Sequence, residues 1–184
     1  MKNSISIASR YVEAFLEYLS EENKLDQLDI YVNAIKNIVD KIDTDKLFLD
    51  LIGNPLLPKD FIVHQIIKVA DIDDVHFNKF ITALVYKKRQ LMLPIIFILL
   101  EQKNLEFKKL IKVKMFTPYK MSEEKVSELE DIIIKKTGRK AIIDSVIDES
   151  LIGGLQLQLE DTIFDYSVKG MLEKIGREYA SKRG

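Results

Sequence analysis

The chain of 184 residues contains no cysteine. Disulfides, thiolate metal sites and a cysteine nucleophile are therefore excluded, and the chain is unlike a small secreted domain. It also lacks an excess of charge of either sign. Its 28 Lys and Arg stand against 29 Asp and Glu, for a formal net charge of -1. A chain balanced in this way is, as a whole, no polyanion binder. Long apolar runs are absent too. The longest, Leu91 to Leu100, falls far short of the roughly 20 residues a membrane-spanning helix needs, so no direct membrane insertion is expected. The opening Met1-Lys2-Asn3-Ser4-Ile5 lacks the long apolar core of a signal peptide. No Pro/Gly/Ser-rich linker, internal repeat or low-complexity tract interrupts the sequence.

Recognisable chemistry is equally sparse. The only adjacent glycines, Gly153-Gly154, are not followed by Lys-Ser or Lys-Thr, so there is no phosphate-binding loop. His64 and His76 fall on separate predicted helices, and neither has a second histidine at the spacing of a zinc face. Both read as surface residues, and no metal or cofactor is expected. The pairs Asp73-Asp74 and Glu123-Glu124 read as helix N-terminal charge. Ser150 is followed by Leu151-Ile152-Gly153, which is not a nucleophile elbow. Lys87-Lys88-Arg89 and the lysines from Lys103 to Lys114 are locally basic, and read as solvated faces.

What remains is apolar patterning, carried by a hydrophobic content of 47%, ample for a packed core. Ile5, Ala8, Tyr11, Val12, Phe15 and Leu19 recur at helical spacing, with Asn3-Ser4 as the candidate cap. A second stripe holds Leu28, Tyr31, Ile35, Ile38 and Ile42. Thr44 is the candidate cap of a short third helix with Leu47, Phe48 and Leu51, which Gly53-Asn54-Pro55 ends. Pro58 suits the first turn of a fourth helix with Phe61, Ile62, Ile66 and Val69. After the acidic turn Asp71 to Asp74 comes a fifth stripe, Phe77, Phe80, Ile81, Leu84 and Val85. The segment from Leu91, apolar all round with Pro94 in its first turn, predicts a helix at the centre of a bundle.

Near residue 110 the period changes. Ile111, Val113 and Met115 alternate with Lys112 and Lys114, which predicts a strand. Ser122 and Glu123-Glu124 open a helix with Val126, Leu129, Ile132 and Ile133, stopped at Gly138. Ala141 to Ile147 and Leu155 to Leu159 read as strands. A turn at Glu160-Asp161-Thr162 leads to Ile163-Phe164. Asp165 or Ser167 then caps a last helix with the stripe Val168, Met171, Leu172, Ile175 and Tyr179. The expected fold is mainly α: a six-helix bundle over residues 1–106, then a small α/β domain over residues 107–184.

Two linked motifs add a family. Ile147-Asp148-Glu149-Ser150-Leu151-Ile152-Gly153-Gly154-Leu155-Gln156-Leu157 resembles the C-terminal signature of the delta subunits of F-type ATP synthases, a family that includes the mitochondrial oligomycin-sensitivity-conferring protein. Ile163-Phe164-Asp165-Tyr166-Ser167-Val168-Lys169-Gly170-Met171-Leu172 resembles its second half. Ala8 to Phe15, Asn54-Pro55, and Lys88-Arg89 with Leu91 and Pro94 are weaker matches that extend the likeness over nearly the whole chain. Two departures stand out: Glu160-Asp161 replaces the family's usual Gly-Asp turn, which predicts a different turn type, and Met115 to Met121 replaces a Ser/Thr-Ala-rich segment.

The resemblance implies a non-catalytic connector on the cytoplasmic face of a bacterial membrane, peripheral to it. Such a connector holds the catalytic head to the peripheral stalk while proton- or sodium-driven rotation makes ATP. It implies that the N-terminal helix of an α subunit lies between the first and fifth helices. Tyr11 and Ala14 match the family's first-helix motif. Phe80 and Ala83 fall on the fifth helix by position, and Tyr18 joins them by helical spacing alone. The C-terminal domain would hold the b subunits of the stalk, with Met171, Ile175 and Tyr179 as a docking face, although most of that stripe is expected to pack within the domain. Asp148, Gly153, Gly154, Asp165, Ser167 and Gly170 read as folding residues of the signature: glycines where the backbone turns or approaches closely, and caps for the last helix. The rival readings are an RNA-binding helical-bundle transcription factor, which fits the helical half and Lys87-Lys88-Arg89 but not the double motif, and an enzyme, which lacks a convergent catalytic set.

Overall fold

A computed structural model of the chain describes residues 2–160 and 162–181. The chain divides into two compact units, Met1–Asn104 and Leu105–Gly184. Eight α-helices and a four-stranded sheet are present among the described residues, so the fold is mainly α with a small α/β part, as the sequence predicts.

Unit 1 contains α1 (Lys2–Glu21), α2 (Leu28–Thr44), α3 (Lys46–Gly53), α4 (Lys59–Ala70), α5 (Val75–Tyr86) and most of α6 (Leu93–Phe107). The apolar stripes meet in one core. Ala8, Val12, Phe15 and Leu19 of α1 are buried with the predicted stripes of α2 and α5. Helix ends depart from the reading in instructive ways. α1 already includes Lys2, so Asn3 and Ser4 lie inside its first turn and do not cap it. Asp45, not Thr44, caps α3: its carboxylate accepts from the Leu47 and Phe48 amides at 3.0 and 3.1 Å. A cap of this kind contributes about 1 kcal/mol. The Thr44 hydroxyl instead donates back to the Asp40 carbonyl at 2.7 Å. Pro58 occupies the N-cap of α4, one residue before the helix proper. Asp74 caps α5 through the His76 and Phe77 amides, both at 2.9 Å.

α6 corrects a second expectation. It is apolar all round but not buried all round. Leu93, Ile96, Leu100 and Asn104 face the core, while Ile98 is 62% exposed. A helix at the side of a bundle buries one stripe only. Along α1, Ile5 is likewise half exposed and Tyr11 only partly buried.

In unit 2, β1 (Leu110–Thr117) and β2 (Lys140–Ile147) run parallel and are joined by α7 (Glu123–Thr137). β3 (Gln156–Leu159) pairs antiparallel with β1, and β4 (Thr162–Asp165) with β3, giving the order β2-β1-β3-β4. The period-two reading of β1 holds: Ile111, Val113 and Met115 point into a core with Ile133, Ala141 and Leu157. Gly138 ends α7 in the left-handed conformation at φ +69°, which glycine adopts without Cβ strain. Ser122 sits at the N-cap of α7 but makes no side-chain cap bond. α8 (Val168–Ser181) closes the unit. The Tyr179 side chain lies outside the described residues.

Candidate partner-binding surfaces

In unit 1, α1 and α5 are neighbours through their side chains. The rings of Phe15 and Phe80 stack at 4.2 Å between centroids. One turn along, the Tyr18 hydroxyl and His76 Nδ1 form a 2.7 Å hydrogen bond, and Lys79 Nζ donates to the same hydroxyl at 3.3 Å. These pairings run antiparallel, so helical rise brings Tyr11 level with Ala83. The five residues assigned from the sequence therefore share one strip but differ in access. Ala14 and Ala83 are exposed, Tyr11 and Tyr18 are half-buried, and Phe80 is buried. Phe80 belongs to the core and supports the strip from beneath. His76, read as a surface residue, is instead half-buried against Tyr18, while His64 is exposed. Nothing in the sequence pairs Tyr18 with a residue so distant in the chain.

Beneath the strip the aromatic core continues to Tyr31, edge-on to Phe15 at 5.6 Å. Among the described residues the buried Tyr31 hydroxyl has no hydrogen-bond partner within 3.5 Å, although the Asp74 carboxylate lies near enough to interact with it. Burial first, and then the charge of nearby Asp74, pushes its pKa up to about 12.

In unit 2 the signature residues hold the backbone together. The Asp148 carboxylate accepts from the Ser150 amide at 3.0 Å, and the Asp148 amide donates to the Thr117 carbonyl at 2.8 Å. The Ile152 backbone is turned to φ +65°, ψ -44°, with the Gly153 amide donating to the Leu151 carbonyl at 2.7 Å. This is a γ-turn of the strained hand, and it holds the Ile152 side chain 70% exposed. Gly154 has φ +77°, and a Cβ there would collide with the Tyr166 carbonyl oxygen. The two halves of the motif are joined by backbone bonds, Tyr166 to the Leu155 carbonyl at 2.9 Å and Val168 to the Gly153 carbonyl at 3.0 Å.

The same motif caps α8. The Ser167 hydroxyl oxygen accepts from the Gly170 amide at 3.0 Å, as an N-cap side chain does. That hydroxyl in turn donates to Asp165 Oδ1 at 2.6 Å, and the Ser167 amide donates there at 2.9 Å. These bonds, the hydroxyl's first, hold the Asp165 carboxyl below the usual carboxylate range. A Cβ on Gly170 would collide with the same carboxylate. Ser167, at 1% exposure, is buried for the cap it makes.

Unit 2 bears on two expectations. Glu160 keeps a positive φ of 52° without glycine, and Arg139 Nη1 pairs with its carboxylate at 2.9 Å. The turn type expected at Glu160-Asp161 rests on Asp161, which lies outside the described residues. The stripe of α8 also does not pack within the unit: Met171, Leu172 and Ile175 are each more than half exposed, and Ile163 and Phe164 of the edge strand β4 are 60% and 42% exposed. Exposed apolar side chains thus occur both on α8 and on the edge strand β4. Periodicity identifies the stripe but does not say whether the same domain covers it.

Among the described residues no group of three or more His, Asp or Glu is arranged to hold a metal ion. None of their helices is long and apolar enough to cross a membrane.

A family model described as ATP synthase delta (OSCP) subunit matches residues 7–178. ATP synthase subunit delta of Petrotoga mobilis is 36% identical over 180 residues, covering 98% of this chain and 95% of that protein. The subunit delta of Pseudothermotoga lettingae is 31% identical over 177 residues, 93% of each. Among solved structures, a chain of the Toxoplasma gondii mitochondrial ATP synthase hexamer shares the fold at a TM-score of 0.62, with 16% identity over 94% of this chain and 97% of that one. The RNA-binding reading finds no support in these likenesses. The chain belongs to the ATP synthase delta (OSCP) subunit family, and its role is that of a non-catalytic connector in the stator.

Proposed function

We propose that unit 1 holds the head of the synthase by receiving the N-terminal helix of an α subunit on the α1/α5 strip, while unit 2 holds the C-terminal end of the b subunits on the surface that includes α8. The observation that carries the first half is the exposure of Ala14 and Ala83 beside half-buried Tyr11 and Tyr18. Small residues let a guest helix come close, and the tyrosine rings offer amphipathic contact at its edges. Exposed Met171, Leu172 and Ile175 support the second half.

The mechanism is mechanical. Rotor torque would turn the head idly if nothing restrained it. A connector joined to a membrane-anchored stalk on the cytoplasmic face resists that torque, so slow dissociation matters more than chemistry. Two surfaces on one chain also raise the effective concentration at each contact.

Calorimetric titration of the full chain with a peptide from the N-terminus of the same organism's α subunit tests the strip. One-to-one binding with a negative heat-capacity change is expected. Ala14→Arg, on an exposed helix face, is expected to weaken it at least about tenfold, as loss of a central contact does. Binding that Ala14→Arg and Ala83→Arg both leave unchanged would remove the strip from the proposal.

A further inference from the structure

We propose that the end of unit 1 where the α3–α4 loop meets the α5–α6 turn is a further docking surface, suited to an acidic amphipathic segment of a partner protein. Three contacts bring the loops together. Gln90 Nε2 donates to the Ile52 carbonyl at 2.8 Å. A Cβ on Gly53 would lie 3.8 Å from Leu91 Cδ1. Lys59 Nζ donates to the Tyr86 carbonyl at 3.2 Å and stands 4.9 Å from the centre of its ring.

Leu56, on the first loop, is 90% exposed, more than any other large apolar side chain described. It is held in that position. Pro55 and Pro58 flank it in sequence, and its amide donates to Asn54 Oδ1 at 2.9 Å. A partner meeting Leu56 therefore has little loop entropy to overcome. On the second loop Leu91 is 53% exposed.

The second loop also carries positive charge. Lys87, Lys88 and Arg89 are consecutive and exposed, and none makes an ion pair with a described residue. The nearby carboxylate of Asp60 is engaged by the Tyr86 hydroxyl at 2.8 Å. A fixed apolar knob beside three exposed cations matches a helix with leucines on one face and Asp or Glu at its flanks. A nucleic acid would use the charge but leave Leu56 and Leu91 without a role.

The test is an anisotropy titration of the full chain at low and high salt. The probe is a labelled helical peptide of about five turns, roughly 18 residues, with leucine at i, i+3, i+4 and i+7 and glutamate on its flanks. A peptide with lysine in place of glutamate and an oligouridylate RNA serve as comparisons. The acidic peptide is expected to bind, and more weakly at high salt, while the lysine peptide does not bind. Leu56→Glu leaves the core untouched and is expected to reduce affinity at least about tenfold. The Lys87→Glu/Lys88→Glu/Arg89→Glu variant is expected to do the same. Ala14→Arg, on the α1/α5 strip, is expected to leave this binding unchanged. The proposal is overturned if the peptide does not bind, if RNA binds as well and Leu56→Glu has no effect, or if Ala14→Arg rather than Leu56→Glu abolishes binding. Failure here leaves the α-subunit titration intact, because that reading depends on different residues.

Discussion

The two units use their apolar side chains differently. In unit 1 all six helices feed one continuous core. In unit 2 the buried apolar core cluster is Ile111, Val113, Met115, Ile133, Ala141 and Leu157, while Met171, Leu172, Ile175, Ile163 and Phe164 stay exposed. Small domains with few buried apolar residues are marginally stable. Unit 1 thus carries a core complete in itself, with the proposed binding strip as surplus. Unit 2 leaves a large share of its apolar side chains exposed, and its backbone ties compensate for a thin core.

The sharpest way to break this contrast is to cut a tie. Gly154→Ala places a Cβ at positive φ and against the Tyr166 carbonyl. It is expected to cost about 2–4 kcal/mol. Hydrogen exchange should register the loss in unit 2 while the amides of α2 and α5 keep their protection. The next effect is stabilisation by a partner. With a peptide from the far end of the stalk's b helices present at 100 times its Kd, unit 2 is expected to gain about 2.7 kcal/mol, read as slower exchange in β1 and β3. Equal gains in both units would erase the distinction drawn between them.

Ser167→Ala removes the cap of α8 and is expected to cost about 1 kcal/mol, with exchange rising first at the α8 amides. Tyr31→Phe probes the opposite case, a polar defect inside the core of unit 1. It removes a buried hydroxyl that has no hydrogen-bond partner within 3.5 Å among the described residues and is expected to stabilise unit 1 by up to about 1 kcal/mol at neutral pH. It also has a pH signature. With the folded pKa at about 12 against 10.0 for the ordinary phenol, the tyrosine's contribution is complete below about pH 10. It is lost as pH rises toward about 12, because only the unfolded chain ionises over that interval. Denaturant midpoints measured across that range should slope down in the parent chain and more gently in Tyr31→Phe.

Local rules made much of this legible in the sequence. The stripes of α2 and α5 are buried residue for residue, because helical period alone determines which side chains share a face. Alternation did the same for β1. The glycines and caps of the signature were recognisable because positive φ and orphan amides leave few residues to choose from. What stayed hidden depends on neighbours. The one-sided burial of α6 and the open stripe of α8 depend on what lies across from each helix. The Tyr18–His76 bond joins residues 58 apart. Asp45 displaced Thr44 as a cap because two adjacent residues were both competent, and the carboxylate reaches two amides. The left-handed Ile152 has no signal in sequence, since β-branched residues avoid that region.

The backbone bonds around Gly153 have one further consequence. The start of α8 is tied through Val168 to the Gly153 carbonyl, and the segment just before it through Tyr166 to the Leu155 carbonyl. Both anchor points lead into β3, which is paired on one side with β4 and on the other with β1. A pull on α8 is therefore shared among several backbone hydrogen bonds at once and spreads across the sheet, instead of peeling one strand from its end. For a part that must hold a turning motor still, load sharing of this kind sets how large a force the fold bears before it yields.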